Sequence, residues 1–156
     1  MLLQSASLRV WRKALRGQPP NESKVEDVEN EANIQLMNAI LSIKPEYVTE
    51  IIAGRKRFEF RKAVFARPVG KVYIYASAPV SKVVGEFQPV DVLKGAPHEV
   101  WKKTRRYSGI PQDWYDEYFN GCTTAYAIEI KNLQIYKEPK ELPFRAPQSY
   151  RYIDNL

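Results

Sequence analysis

The stretch Gly54-Arg55-Lys56-Arg57-Phe58-Glu59-Phe60-Arg61-Lys62 decides how the rest of the chain is read. A glycine is the usual stop of a helix, and the alternation that follows it has the period of a strand. Extended over 57–62, the segment puts Phe58 and Phe60 on one face and Arg57, Glu59 and Arg61 on the other. The phenylalanines then anchor a core, while the solvent side, with Lys56 and Arg61 on it, presents a carboxylate flanked by cations. Five cations and one anion in so short a run exceed what an ordinary solvated strand needs. Function is therefore sought here.

Upstream, Lys44-Pro45 opens the helix that Gly54 closes. Proline suits the first helical position because its missing donor is not needed there, and Tyr47, Val48, Ile51 and Ile52 follow at helical spacing. Before it, Ala39-Ile40-Leu41-Ser42-Ile43 reads as a short buried strand. Downstream, Arg67-Pro68-Val69-Gly70 reads as a turn. Lys71-Val72-Tyr73-Ile74-Tyr75-Ala76-Ser77 then alternates as a strand, aliphatics on one side and tyrosines on the other. Residues 82–93 form a long strand interrupted by Gly85 and Pro89, where bends or bulges are expected. Residues 97–106 and 111–119 make two short helices, each with a proline near its start. Most of their aromatics, which include Trp114, Tyr115, Tyr118 and Phe119, are read as packing. Residues 123–136 are a strand or hairpin, and the proline-punctuated 142–153 an extended tail. This order predicts an α+β domain built on a small, strongly bent barrel.

At 156 residues and 44% hydrophobic, the chain suits one domain with a real core. Residues 1–36 read as a flexible extension, with a short amphipathic helix over 8–15 broken by Pro19-Pro20. Five cations there (Arg9, Arg12, Lys13, Arg16, Lys24) balance five anions (Glu22, Glu26, Asp27, Glu29, Glu31), so the formal net charge of +6 belongs to residues 37–156. Met37 offers an alternative translation start. The basic balance favours anionic partners such as nucleic acid. Only Cys122 and His98 carry side chains that zinc prefers, which excludes a zinc site or disulfide made within the chain. Cys122 reads as a half-buried thiol and His98 as an exposed side chain at a helix start. No run approaches the ~18 apolar residues of a membrane span, and Arg9, Arg12 and Lys13 interrupt any signal-peptide core. A cytoplasmic monomer without metal or cofactor is expected.

Gly54, Lys56, Glu59 and Arg61 fill the pattern Gly-x-Lys-x-x-Glu-x-Arg at a helix-to-strand junction, and in this the chain resembles the ASCH domains of the PUA-like superfamily. Leu41-Ser42-Ile43-Lys44-Pro45, Val72-Tyr73-Ile74-Tyr75-Ala76-Ser77, Val84-Gly85-Glu86 and Pro147-Gln148-Ser149-Tyr150-Arg151-Tyr152 are similar to segments of that family in the same order. The resemblance covers residues 38–153. It implies a PUA-like mixed barrel of five to six strands with two to three flanking helices over 37–156, and a cleft lined by the four matched residues.

The resemblance further implies a nucleic-acid-binding module that recognises RNA or a modified nucleotide in a basic cleft, in translation- or transcription-linked regulation. Its expected ligand contacts are Ser42, Lys44, Lys56, Glu59, Arg61, Lys62, Tyr75, Ser77, Gln148, Tyr150 and Arg151. Arginine supplies a planar fork for phosphate and lysine a point charge, with Arg55 as a further candidate. Glu59 is free to accept hydrogen bonds from a base or ribose, and Tyr73, Tyr75 and Tyr150 offer stacking surfaces. The alternative is a hydrolase of RNA or a modified nucleoside, ribonuclease-like or acetylcytidine amidohydrolase-like, using Lys56 and Glu59. The amidohydrolases place a threonine three residues after the lysine, where this chain has Glu59. They also need an acidic residue in the following helical region, and none stands near Tyr107-Ser108-Gly109. A third reading is a protein-interaction domain with an incidental basic face.

Overall fold

A computed structural model describes residues 36–156. The reading of 1–36 as a flexible extension, with its helix over 8–15, lies outside the described residues apart from Leu36. The elements are β1 (Met37–Ile43), α1 (Pro45–Ile52), β2 (Phe58–Arg61), β3 (Val69–Ala76), β4 (Lys82–Gly95), α2 (Pro97–Thr104), a 3-10 turn (Arg105–Tyr107), α3 (Gln112–Tyr118), β5 (Ala125–Lys140) and β6 (Tyr150–Ile153). The strands form one six-stranded sheet in the order β2-β5-β4-β3-β1-β6. β1 and β3 are parallel, and the other neighbours are antiparallel. This is the expected α+β class. The barrel-like sheet does not close, because β2 and β6 remain its edges.

Local chemistry explains most of these boundaries. Pro45 occupies the first turn of α1, and Gly54 ends the helix region with φ of 75°, a conformation that costs glycine little. Val48 and Ile51 face the core, whereas Ile52, expected on the same apolar side, is 53% exposed. β4 changes register at Val83/Gly85, Glu86/Gln88 and Pro89/Val92, so its bends fall where Gly85 and Pro89 sit.

Three boundaries differ from the sequence reading. β3 begins at Val69, inside the expected turn, because Val69 is fully buried and pairs with Met37. Residues 125–140 form a single strand and no hairpin, since β4 runs long enough to pair with it from Gly95↔Ala125 to Val83↔Lys140. The expected tail ends in a strand, β6, which pairs Tyr150–Ile153 against Leu41–Asn38 of β1.

Both faces of the sheet are buried. Leu41, Ile43, Val72, Ile74, Phe87 and Ile128 pack with Val48 and Ile51 of α1 in the main core. Phe60 and Ala127 join Val100, Trp101, Tyr115 and Phe119 beneath α2 and α3. Ile40, Tyr73, Val83 and Ile153 form a third cluster. The tyrosine side of β3 is thus an interior surface and not the stacking face that alternation suggests: Tyr73 is buried within that cluster, and Tyr75 packs against it. Among the described residues no helix is long and apolar enough to cross a membrane.

Candidate functional site

At the open seam of the sheet lies a cleft of about 440 Å³. Ser42, Ile43 and Lys44 line it from the end of β1 into α1, and Tyr47 from α1 itself. Lys56, Glu59, Phe60 and Arg61 contribute the β2 side, Ile110, Trp114 and Tyr118 the α3 side, and Ser77, Gln148 and Ser149 the rest. The volume falls within the usual range for small-molecule sites, ~300–1,000 Å³.

Lys56, Glu59 and Arg61 form one charged string. Glu59 Oε1 accepts from Arg61 Nε at 3.1 Å and lies 2.8 Å from Arg61 Nη2, and Glu59 Oε2 faces Lys56 Nζ at 3.6 Å. Arg61 also reaches across the seam, donating to the Ser42 carbonyl at 3.0 Å and to Ser149 Oγ at 3.2 Å. Ser42 Oγ donates to the Pro147 carbonyl at 2.5 Å, which ties the segment before β6 to β1.

Lys56, expected on the solvent side of the strand, is 3% exposed, and Glu59, which alternation assigns to that side, is 7% exposed. A second layer, contributed by the loop between α2 and α3, covers them. Lys56 Nζ donates to the Ser108 carbonyl at 3.2 Å, and Arg57 N donates to the Tyr107 carbonyl at 2.8 Å. The ammonium also sits 4.7 Å above the Phe60 ring and 5.8 Å above that of Tyr47. Burial pulls the Lys56 amine below lysine's ordinary range; the Glu59 charge opposes that shift and the Arg61 charge adds to it. Of its three N–H donors one is held by Ser108 and one points toward Glu59, which leaves a donor for a ligand.

Gly109 lets this layer approach. Its φ is 63°, and a Cβ there would fall 2.3 Å from Lys56 Cβ and 3.0 Å from Lys56 Cα. Gly109→Ala is expected to cost about 2–4 kcal/mol, combining left-handed backbone strain with overpacking. Chemical denaturation checks it, and a loss below about 1 kcal/mol would mean that the loop yields without touching Lys56.

The wall facing the charges is aromatic. Trp114 and Tyr118, one turn apart on α3, stack at 5.1 Å with planes 11° apart, and Tyr47 meets Trp114 edge-on at 5.3 Å. Their neighbours Tyr115 and Phe119 are buried in the helix core. The expectation that most of these aromatics are packing holds for Tyr115 and Phe119, while Trp114 and Tyr118 pack at the edge of that cluster and also line the cleft.

Of the residues expected at the site, Ser42, Lys44, Lys56, Glu59, Arg61, Ser77 and Gln148 are brought together on the cleft. Four are placed elsewhere. Lys62 lies outside with its ammonium 4.8 Å above the Tyr118 ring. Tyr75 packs against the third cluster. Tyr150 meets Phe65 edge-on at 5.0 Å, and Arg151 lies 4.3 Å over Phe144. Arg55 is engaged with Glu50 at 2.7 Å and 2.8 Å. Sequence reasoning misses Tyr47, Trp114, Tyr118 and Ser149. The i, i+4 spacing of Trp114 and Tyr118, offset from Tyr115 and Phe119, is the available signal for two of them.

Comparison with known proteins agrees with this architecture. The chain is 32% identical over 102 residues to large ribosomal subunit protein uL22 of Ureaplasma parvum serovar 3, a match covering 63% of this chain and 33% of that protein. It thus spans about a third of the length of that relative. It is 27% identical over 123 residues to an ASCH domain-containing ribonuclease of Zymomonas mobilis, covering 74% of this chain and 83% of the relative. The crystal structure of ASCH from Zymomonas mobilis superposes with a TM-score of 0.68 at 26% identity, over 74% of this chain and 87% of that one. Residues 41–134 match the ASCH domain, a span that holds β1 from Leu41, the charged string, the loop that covers it and the aromatic wall, and the chain belongs to the ASCH domain family.

Proposed function

We propose that the cleft binds single-stranded RNA and takes one nucleotide between the charged string and the aromatic wall. The observation that carries this reading is the convergence of Lys56, Glu59 and Arg61 on an open cleft faced by Tyr47, Trp114 and Tyr118. Cations outnumber anions among the described lining residues, since Lys44, Lys56 and Arg61 stand against Glu59. That balance suits a phosphodiester, while Glu59 can accept from a base edge or ribose hydroxyl and the stacked pair offers a π-face. A relative named as a ribonuclease supports an RNA ligand.

Trp114→Ala tests the reading. Base stacking contributes ~1–3 kcal/mol, so the variant is expected to bind a mixed-sequence single-stranded RNA roughly 5- to 140-fold more weakly in a low-salt anisotropy titration. Unchanged affinity would remove the cleft from RNA binding. A second reading, hydrolysis of the bound strand, is favoured by one observation: burial holds the Lys56 amine below the usual lysine range beside a carboxylate, which suits proton transfer. Gel analysis of the same RNA after incubation decides between binding and cutting. Cleavage that Lys56→Met abolishes would establish the second reading, and an intact strand would retain the first.

A further inference from the structure

Outside the cleft, two guanidinium groups crowd one ring. Arg57 Cζ lies 4.1 Å and Arg106 Cζ 5.5 Å from the centroid of Tyr107. The ring belongs to the same loop that covers Lys56: the Tyr107 carbonyl accepts from Arg57 N, and the next carbonyl, of Ser108, accepts from Lys56 Nζ. Arg57 Nε is further steadied by the Gly54 carbonyl at 3.3 Å. Among the described residues, no carboxylate pairs with Arg57, Lys103, Arg105 or Arg106, whereas Arg55 and Lys102 nearby pair with Glu50 and Glu99.

This pattern is unlike an ordinary solvated face. Two like charges held against one ring repel each other, and a surface under no other demand interleaves carboxylates between them. Stacking on Tyr107 restricts the Arg57 fork, so less freedom is lost when it grips an anion. A phosphate meets both needs, because arginine matches its oxygens in bidentate fashion.

Resting on the reading of the cleft as an RNA site, we infer that Arg57 and Arg106 form a second, phosphate-gripping station on Tyr107. The ligand is then an extended single strand whose backbone runs from the cleft across this station, and not a free nucleotide. The cleft supplies base and ribose contacts, while the station supplies sequence-independent affinity.

The test uses the full chain, with two probes. An equimolar mixture of the four ribonucleoside monophosphates is followed by tryptophan fluorescence, and a labelled mixed-sequence octaribonucleotide by anisotropy at several salt concentrations. In the double variant Arg57→Gln/Arg106→Gln, octanucleotide affinity is expected to fall by roughly tenfold. The slope of log K against log salt should flatten by about 1.4, at ~0.7 for each phosphate that is no longer neutralised. Monophosphate binding and the thermal midpoint should match wild type. An unchanged octanucleotide affinity and salt slope in the double variant, or a wild type that binds octanucleotide no tighter than monophosphates, overturns the station and leaves the cleft reading standing. A wild type that binds neither probe overturns both.

Discussion

Glu59→Ala is expected to destabilise the fold by about 3–5 kcal/mol at neutral pH, because it strips the buried carboxylate from between buried Lys56 and partly buried Arg61. In the native protein Glu59 offsets the cost of holding Lys56 at 3% exposure and orients Arg61 through one hydrogen bond and a close ion pair. Without it, Lys56 and Arg61 face each other uncompensated. The pH dependence distinguishes this from simple loss of packing. Burial already sets the folded pKa of Lys56 below its unfolded value of about 10.4. Between those two values the unfolded chain holds the proton and the folded one does not, so stability rises with pH across the window. Glu59 holds the folded value up, and its removal extends the window downward. The stability gap between wild type and Glu59→Ala should therefore narrow with rising pH below lysine's unfolded value. Urea denaturation across that range measures it. A pH-independent gap, or one below about 1 kcal/mol, would show that the charged string is not electrostatically coupled.

Phe60→Ala and Phe58→Ala are expected to part company. Phe60 is 5% exposed, meets Tyr115 edge-on at 5.1 Å and lies under the Lys56 ammonium. Truncation should cost about 3–5 kcal/mol and withdraw part of the cleft wall at the same time. Phe58 shares its face but is only half-buried at the edge of the same cluster, so its truncation should cost less than half as much. Equal losses in denaturation midpoints would mean that the helix layer packs on both rings alike.

The contrast shows what can be read in advance. Alternation assigns the phenylalanines to one face and the charges to the other, and the sheet pairing of Phe58 with Glu129 and Phe60 with Ala127 is consistent with that period. Alternation carries no information about what covers the second face. It assigns Glu59 to solvent, yet Glu59 is 7% exposed, and Lys56 beside it is buried by a loop, Tyr107 to Ile110, that lies about fifty residues away in sequence. Gly109 is visible as a turn residue, but its close approach to Lys56 is a tertiary fact. The strand order is similarly half-legible. Gly85 and Pro89 announce the bends of β4, whereas the polar second half of β5 has no apolar period and is held in place by its partner. Tyr75, Tyr150 and Arg151 are expected at the site from the family resemblance; Tyr75 packs against the third cluster, Tyr150 meets Phe65 edge-on, and the exposed Arg151 lies over the Phe144 ring.

Arg61 joins two edges that the backbone leaves apart. It is rooted in β2, and its fork ends on the Ser42 carbonyl at the close of β1 and on Ser149 just ahead of β6. The sheet is therefore shut at this point by a side-chain clasp, and in the proposed reading of the cleft the clasp is made of the N–H groups that the ligand addresses. A ligand that competes for them loosens the hold on the C-terminal strand, and one that bridges them tightens it. By reciprocity, whatever tethers or frees the chain from Pro147 to Ile153 changes the affinity of the cleft by the same factor.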